Sequence, residues 1–316
     1  MRLVNTIDTT GSRRIGFVVG DEVVDPSATS VGSKAENQAL FSDSVSFIRS
    51  GELGRQLADL AIESGEGRSP LAAGRLTSPI LPSTILCSGS NYLAHNAEKV
   101  AAPISGKEPE FFVMTADSVI GPDESIVYDP ELTTKLDCET ELAIVIGRAG
   151  RHIPVEQALD HVFGYTVAND VTARDRQVRR TPEGFTWYDT GRGKAFDTSA
   201  PLGPAIVTAD EIGDPQTLHL RTRINGELRQ SSPTSDMIWS CADLVHFFSI
   251  NFTLRPGMVI LTGTPAGTAW STDTELGGRW QGQDGLVAAT RYCLPGDVVE
   301  NEIDRIGVLR NTVVHV

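Results

Sequence analysis

The stretch Asp137-Cys138-Glu139-Thr140-Glu141 runs straight into the apolar series Leu142-Ala143-Ile144-Val145-Ile146. On a strand, alternate residues share a face, so Glu139 and Glu141 point the same way. Leu142, Ile144 and Ile146 occupy the other face and belong to the core. Two carboxylates side by side repel unless one is protonated or a cation joins them. An exposed strand end is the plainer alternative. A second strand-like run, Gly164-Tyr165-Thr166-Val167-Ala168-Asn169, ends in Asp170. Three carboxylates from two strand ends make a hard-oxygen site suited to Mg²⁺, Mn²⁺ or Ca²⁺ and wrong for zinc. The 6 histidines include no pair at ligand spacing, in keeping with an oxygen-only site.

Gly89–Glu98 carries a different chemistry. If it forms a short helix, His95 and Glu98 stand at i, i+3 and can touch. A carboxylate that orients a neutral imidazole is a way to take a proton from water; a solvated surface pair is the alternative. Between Thr172 and Phe196 lie Arg174, Arg176, Arg179, Arg180, Arg192 and Lys194 against Asp175, Glu183 and Asp189. Such a local basic excess marks either a place for a small anion or a solvated loop. Gly191-Arg192-Gly193-Lys194 lacks the Ser/Thr and the earlier glycine of a phosphate-binding loop. Gly263-Thr264-Pro265 is a tight turn with no nucleotide fingerprint.

These groups need a scaffold, and the chain supplies a β-rich one. Strands are expected at Ile80–Ser88, Cys138–Ile146, Gly164–Ala168, Ala205–Thr208, Leu218–Ile224, Met258–Leu261 and Val298–Glu302, with a hairpin turn at Asn225-Gly226. Helices are expected at 155–163 and 236–248, the second capped by Thr234 and Ser235. Residues 1–76 read as a small leading domain, with a hairpin at 14–25, helices at 44–49 and 53–63, and Leu53, Leu57, Leu60 and Ala61 on one helix face. Residues 77–316 read as the catalytic domain. Acidic residues number 41 against 27 basic ones, a net charge of −14, which speaks against nucleic acid as the partner. No apolar run approaches a membrane span. The first residues lack the apolar core of a signal peptide, and the four cysteines form no C-x-x-C pair. A cytoplasmic protein with buried free thiols is the expectation.

Together these segments resemble the fumarylacetoacetate hydrolase family. The likeness rests on Asn91-Tyr92-x-x-His95-x-x-Glu98, Asp137-x-Glu139-x-Glu141, Gly164-Tyr165-Thr166 through Arg174-Asp175-x-Gln177, and Gly193-Lys194-x-Phe196-Asp197-Thr198. Pro201-Leu202-Gly203-Pro204, Asn225-Gly226-Glu227, Leu261-Thr262-Gly263-Thr264-Pro265 and Ile306-Gly307-x-Leu309 follow in order. The resemblance implies an α+β, β-rich fold: a mixed β-sandwich roll with a small N-terminal β/α domain, usually homodimeric. It implies that Glu139, Glu141 and Asp170 hold a divalent metal, Mg²⁺ first, with Mn²⁺ or Ca²⁺ as alternatives. His95 and Glu98 become the water-activating dyad and Lys194 the cation near developing negative charge. Tyr92, Arg174, Gln177 and Thr264 become substrate contacts.

The expected activity is hydrolysis of a C–C bond in a β-diketo acid of acylpyruvate or fumarylacetoacetate type. Decarboxylation or isomerisation of oxaloacetate- or hydroxymuconate-type 2-oxo acids at the same site is the alternative. The partner is thus a small anionic 2-oxo acid, with no nucleic acid and no membrane. Where the family often has Phe-x-Lys-Pro, this chain has Phe112-Val113-Met114-Thr115, so the far end of the substrate is expected to be uncharged. The segments 178–191 and 268–293 are long; the second, with Trp270, Trp280 and Tyr292, is expected to close over that end.

Overall fold

The computed structural model describes residues 1–8, 10–99 and 106–316. Its centre is the strand Thr140–Ile146, every residue of which is buried. Both faces are covered. Leu142, Ile144 and Ile146 pack with Tyr165, Val167, Leu220, Leu244, Phe248 and Ile303. Ala143 and Val145, on the other side, pack with Leu3, Phe17, Phe47, Ile85 and Val259. A strand buried on both faces reads as a continuous apolar run, which Leu142–Ile146 is.

That strand pairs antiparallel with Val162–Asn169 on one side and with Val259–Leu261 on the other. They belong to a 12-stranded sheet, which continues through Ile85–Gly89 to an edge at Glu110–Met114. In the other direction Val162–Asn169 pairs with Ala200–Thr208, and this strand pairs with Arg2–Ile7. A 5-stranded sheet, including His219–Ile224 and Val298–Ile303, packs over the Leu142 face. Thr140 Oγ1 joins the sheets by accepting from Asn301 Nδ2 at 2.7 Å. The result is the expected mixed, mostly antiparallel β-rich architecture, with few helices.

The leading residues are woven into this scaffold, sharing both the large sheet and the Ala143 core. Helix Gly51–Glu63 departs from the expected face. Leu53 and Leu60 are about half exposed, at 56% and 52%; Ala61 is buried and Leu57 packs on the core as expected, and Gly54 and Ala58 are buried in place of the other two. Gly54 leaves room for the helix's own N-cap side chain: a Cβ there would stand 1.8 Å from Ser50 Oγ. The helix expected at 155–163 is a 3₁₀ segment ending at His161, because Val162 and Phe163 belong to the Val162–Asn169 strand. The helix expected at 236–248 is Cys241–Asn251. Its cap is Ser240, not Thr234 and Ser235; the Ser240 and Asp243 side chains bond each other's backbone N–H in a capping box. Among the described residues no helix is long and apolar enough to cross a membrane. All four cysteines are free and buried, with Cys138 Sγ 3.8 Å from Cys293 Sγ.

Gly164 lets Val162–Asn169 lie against Ala200–Thr208; a Cβ there would meet Val207 O at 2.3 Å. Gly164→Ala should destabilise the protein by about 1–3 kcal/mol, as overpacking does. Chemical denaturation would measure this, and an unchanged midpoint would show that the strand pair has slack.

Candidate active site

Cross-strand register assembles the acidic centre. Thr140 stands opposite Asn169 and Glu141 opposite Ala168, so the residues just before one strand meet those just after the other. Asp170 N donates to Glu139 O at 2.9 Å, and Asn169 Oδ1 accepts from Glu139 N at 2.9 Å. Glu139, Glu141 and Asp170 thereby offer ligand oxygens within 4.8 Å of one another, all three buried. Asp170 Oδ1 has no hydrogen-bond partner. A buried, orphaned carboxylate oxygen in an all-oxygen cluster fits a hard divalent cation.

Two side-chain cations already share this centre. Lys194 Nζ bridges Glu139 Oε2 at 2.6 Å and Asp170 Oδ2 at 2.5 Å. Arg174 donates to Asp137 Oδ2 at 2.8 Å, to Gln177 Oε1 at 2.9 Å, and to Glu139 Oε1. Burial would raise the Glu139 carboxyl, but Arg174 and Lys194 outweigh it and hold Glu139 far below the usual range. Burial and the charges of Asp170 and Glu139 hold Glu141 well above that range. Burial carries Asp170 up to about 6 against the pull of Lys194. The cluster as it stands holds more negative charge than its cations compensate.

Across the cleft, helix Leu93–Ala97 carries His95, and Glu98 is its C-cap. His95 Nδ1 and Glu98 Oε2 are 3.2 Å apart. Glu98 Oε1 accepts from Gly267 N at 2.9 Å, which ties the dyad to the loop after the Gly-Thr-Pro turn. Burial, then the nearby Lys99, drives His95 well below its ordinary value. Burial lifts Glu98 to about 8, opposed by the Gly267 N–H. The pair thus favours a neutral imidazole beside a protonated carboxyl at neutral pH.

The two walls enclose a cleft of about 270 Å³ lined by His95, Lys99, Glu139, Glu141, Asp170, Arg174, Gln177, Tyr188, Lys194, Thr264 and Trp270, among others. The triad, dyad, Lys194, Arg174, Gln177 and Thr264 are therefore brought together, Glu98 by its bond to His95. Thr264 is also anchored, donating to Thr140 O at 3.0 Å. Tyr92 is not at the substrate surface. It is 1% exposed and packs in the Leu142 core, because its position just before the helix turns it inward. Met114 is also core, at 1% exposure, and does not line the cleft. Of the three aromatics expected to close over the cleft, only Trp270 lines it; Tyr292 instead donates to Asp273 at 2.7 Å.

Three residues join that had no role in the sequence reading. Asp137 anchors Arg174 and accepts from Ala269 N at 3.0 Å and Trp270 N at 3.1 Å. It lies on the Glu139 face by the same alternation, a signal that could have found it. Tyr188 meets the Trp270 ring edge-on at 5.9 Å, so the two long segments touch. Lys99 donates to Ser90 Oγ at 2.8 Å and lies 5.4 Å from the Trp270 ring centroid. Burial drops it to about 7.

Asp170→Asn and Glu141→Gln should fold yet bind Mn²⁺ or Mg²⁺ weakly in calorimetric titration; isotherms matching the parent would refute the metal assignment. A second test follows from Glu98. Burial carries its folded carboxyl from the ordinary 4.5 to about 8, so the folded state binds more protons in that window and stability falls as pH rises through it. Metal-free Glu98→Gln protein should lose less stability than the parent between about pH 4.5 and 8. Parallel urea-denaturation curves across that range would remove the assignment.

Known proteins share this arrangement. The family model for the fumarylacetoacetate hydrolase C-terminal domain matches residues 84–314. A mitochondrial oxaloacetate tautomerase of Xenopus laevis is 41% identical over 270 residues, covering 85% of this chain and 77% of the relative. The fumarylacetoacetate hydrolase of Exiguobacterium antarcticum superposes with a TM-score of 0.75 at 33% identity, covering 100% of both chains. The maleylpyruvate hydrolase of Sphingobium, solved with manganese(II) and pyruvate, gives a TM-score of 0.75 at 29% identity, covering 100% of this chain and 99% of that one. On sequence, fold and site geometry, this chain belongs to the fumarylacetoacetate hydrolase family.

Proposed function

We propose that the protein is a divalent-metal-dependent enzyme that moves a proton at the carbon beside the keto group of a small 2-oxo acid, with keto–enol tautomerisation of an oxaloacetate-type acid as its reaction. The observation that carries this reading is the dyad: His95 Nδ1 and Glu98 Oε2 lie 3.2 Å apart, both buried and facing a buried triad of carboxylates, with burial favouring the uncharged form of each. Such a pair can give a proton at one atom and recover it at another without a net change of charge. Tautomerisation asks for that and consumes no water. The 41% identity to an oxaloacetate tautomerase supports the same choice.

A divalent ion, Mg²⁺ or Mn²⁺, held by Glu139, Glu141 and Asp170 would polarise the 2-oxo group. The chain's own groups do the rest. Lys194 spends two N–H donors on Glu139 and Asp170 and has a third for the substrate oxygen where negative charge develops. His95 exchanges the proton at the adjacent carbon, and Glu98 fixes the imidazole through Nδ1. Arg174 and Gln177 border the carboxylate end, with Arg174 already set by Asp137. Trp270 and Tyr188 limit water at the mouth.

Hydrolysis of acylpyruvates is the second reading, because the same dyad can activate water, and the maleylpyruvate hydrolase neighbour supports it. We also propose the division into 1–76 and 77–316 and a homodimer. For the dimer, the sheet-edge strand Glu110–Met114 exposes Phe111 and Val113 at 42% and 43%.

Enol-rich oxaloacetate should lose its enol absorbance faster with the metal-loaded enzyme than in buffer. EDTA should abolish the effect, and His95→Ala should lower kcat about 10²–10⁴-fold. If oxaloacetate relaxes at the buffer rate while acetylpyruvate is cleaved, hydrolysis takes its place.

A further inference from the structure

The cleft contains three side-chain cations, and they are not in equal positions. Arg174 is committed to Asp137 and Glu139, and Lys194 to Glu139 and Asp170. Lys99 is held by a neutral hydroxyl, Ser90 Oγ, and by the face of Trp270. Among the described residues no carboxylate lies within ion-pair distance of its Nζ. With a divalent ion in place, the charges of Asp137, Glu139, Glu141 and Asp170 are matched by that ion, Arg174 and Lys194. Glu110 also lines the cleft, but of the three cations Lys99 is the one without a carboxylate partner among the described residues.

Its position sets it apart from the metal ligands. Lys99, Tyr188 and Trp270 also line a neighbouring cavity of about 370 Å³, which none of the three carboxylates touches. They form the wall of the cleft away from the triad. The backbone there is braced: Lys99 forms an antiparallel bridge with Gly278, and Arg279 N donates to Glu98 O at 2.8 Å. An ammonium held in such a pocket without a counter-charge is costly, and an incoming anion would relieve the cost. The burial that drops Lys99 to about 7 reports the same tension.

We infer that Lys99 is the specificity-determining residue that receives a second, distal carboxylate, so that the enzyme selects 2-oxo diacids over 2-oxo monoacids. The inference rests on the reading of the site as a 2-oxo acid site. It revises the expectation of an uncharged far end. Met114 lies in the core and cannot inform the cleft, whereas Lys99, one residue beyond the dyad, lies in its wall.

The test is calorimetric binding to Mn²⁺-loaded protein, using oxalate, 2-oxoglutarate and 2-oxopentanoate, in which a methyl group replaces the far carboxylate. The parent should bind 2-oxoglutarate about 10–100-fold tighter than 2-oxopentanoate, the worth of a charge-assisted hydrogen bond. Lys99→Met should lose that preference while keeping oxalate and 2-oxopentanoate binding, and Lys99→Arg should retain most of it. With a diacid substrate, Lys99→Met should raise KM and leave kcat nearly unchanged. Equal affinity of the parent for the two 2-oxo acids, or equal losses for all ligands in Lys99→Met, overturns the inference. The first comparison needs no variant, so a misfolded Lys99→Met leaves the test intact. If oxalate itself fails to bind, the 2-oxo acid reading falls and Lys99 with it; if oxalate binds without a diacid preference, only the Lys99 assignment falls.

Discussion

Four carboxylates buried together govern this molecule. Asp137, Glu139, Glu141 and Asp170 are each at most 3% exposed, at the joined ends of two central strands. Removing one such charge from water costs several kcal/mol, and like charges this close add repulsion. The fold meets the cost unevenly. Arg174 and Lys194 spend their charge on Asp137, Glu139 and Asp170, and Glu141 is left with the backbone N–H of Gly263 at 2.7 Å. Asp170 keeps one oxygen unsatisfied. A divalent ion is the component that would close this account, since hydrogen bonds alone do not.

The same constraint explains why the late segments are where they are. Asp137 reaches out of the cluster to the backbone N–H groups of Ala269 and Trp270, so the loop after the Gly-Thr-Pro turn is fixed by the charge network. Trp270 then becomes a shared wall. Its ring is 5.1 Å from the Arg174 guanidinium, 5.4 Å from Lys99 Nζ and 6.4 Å from the His95 ring centroid. Gly267 of this loop also supplies the N–H that holds Glu98. Acid–base and charge-bearing walls are therefore tied to one short stretch, and substitutions of Trp270 should be felt on both.

How much of this could be read in the chain depends on the range of the physics. Alternation is local, so Glu139 and Glu141 on one face, and the apolar run behind them, were legible. The i, i+3 contact of His95 with Glu98 was legible for the same reason. The resemblance supplied Lys194 as a partner of the carboxylates. For Asp170 the residues alone offered a third carboxylate at a strand end; what nothing local specifies is that Asn169 pairs with Thr140. Large apolar side chains misled at Leu53 and Leu60, which stay half exposed while the small Gly54 and Ala58 are buried with the expected Ala61. Cap chemistry at 234–235 misled in a similar way, since the reciprocal Ser240–Asp243 pair outweighs two isolated cap residues. Lys99 carried no signal: a lysine after a glutamate reads as solvated until Ser90, Trp270 and Gly278 close around it.

The arrangement separates two electrostatic tasks that would interfere if mixed. On the triad wall the cations have their charge fixed: Arg174 and Lys194 are held above their ordinary values despite burial, by Glu139, Asp137 and Asp170. On the dyad wall burial works the other way, bringing Glu98 to about 8 and His95 well below its ordinary value. Proton-moving groups need values near the working pH, and charge-stabilising groups need values far from it. The dyad of His95 and Glu98 can serve the first need because it is buried on the wall across the cleft from the triad. The strand ends serve the second because the register packs them against cations.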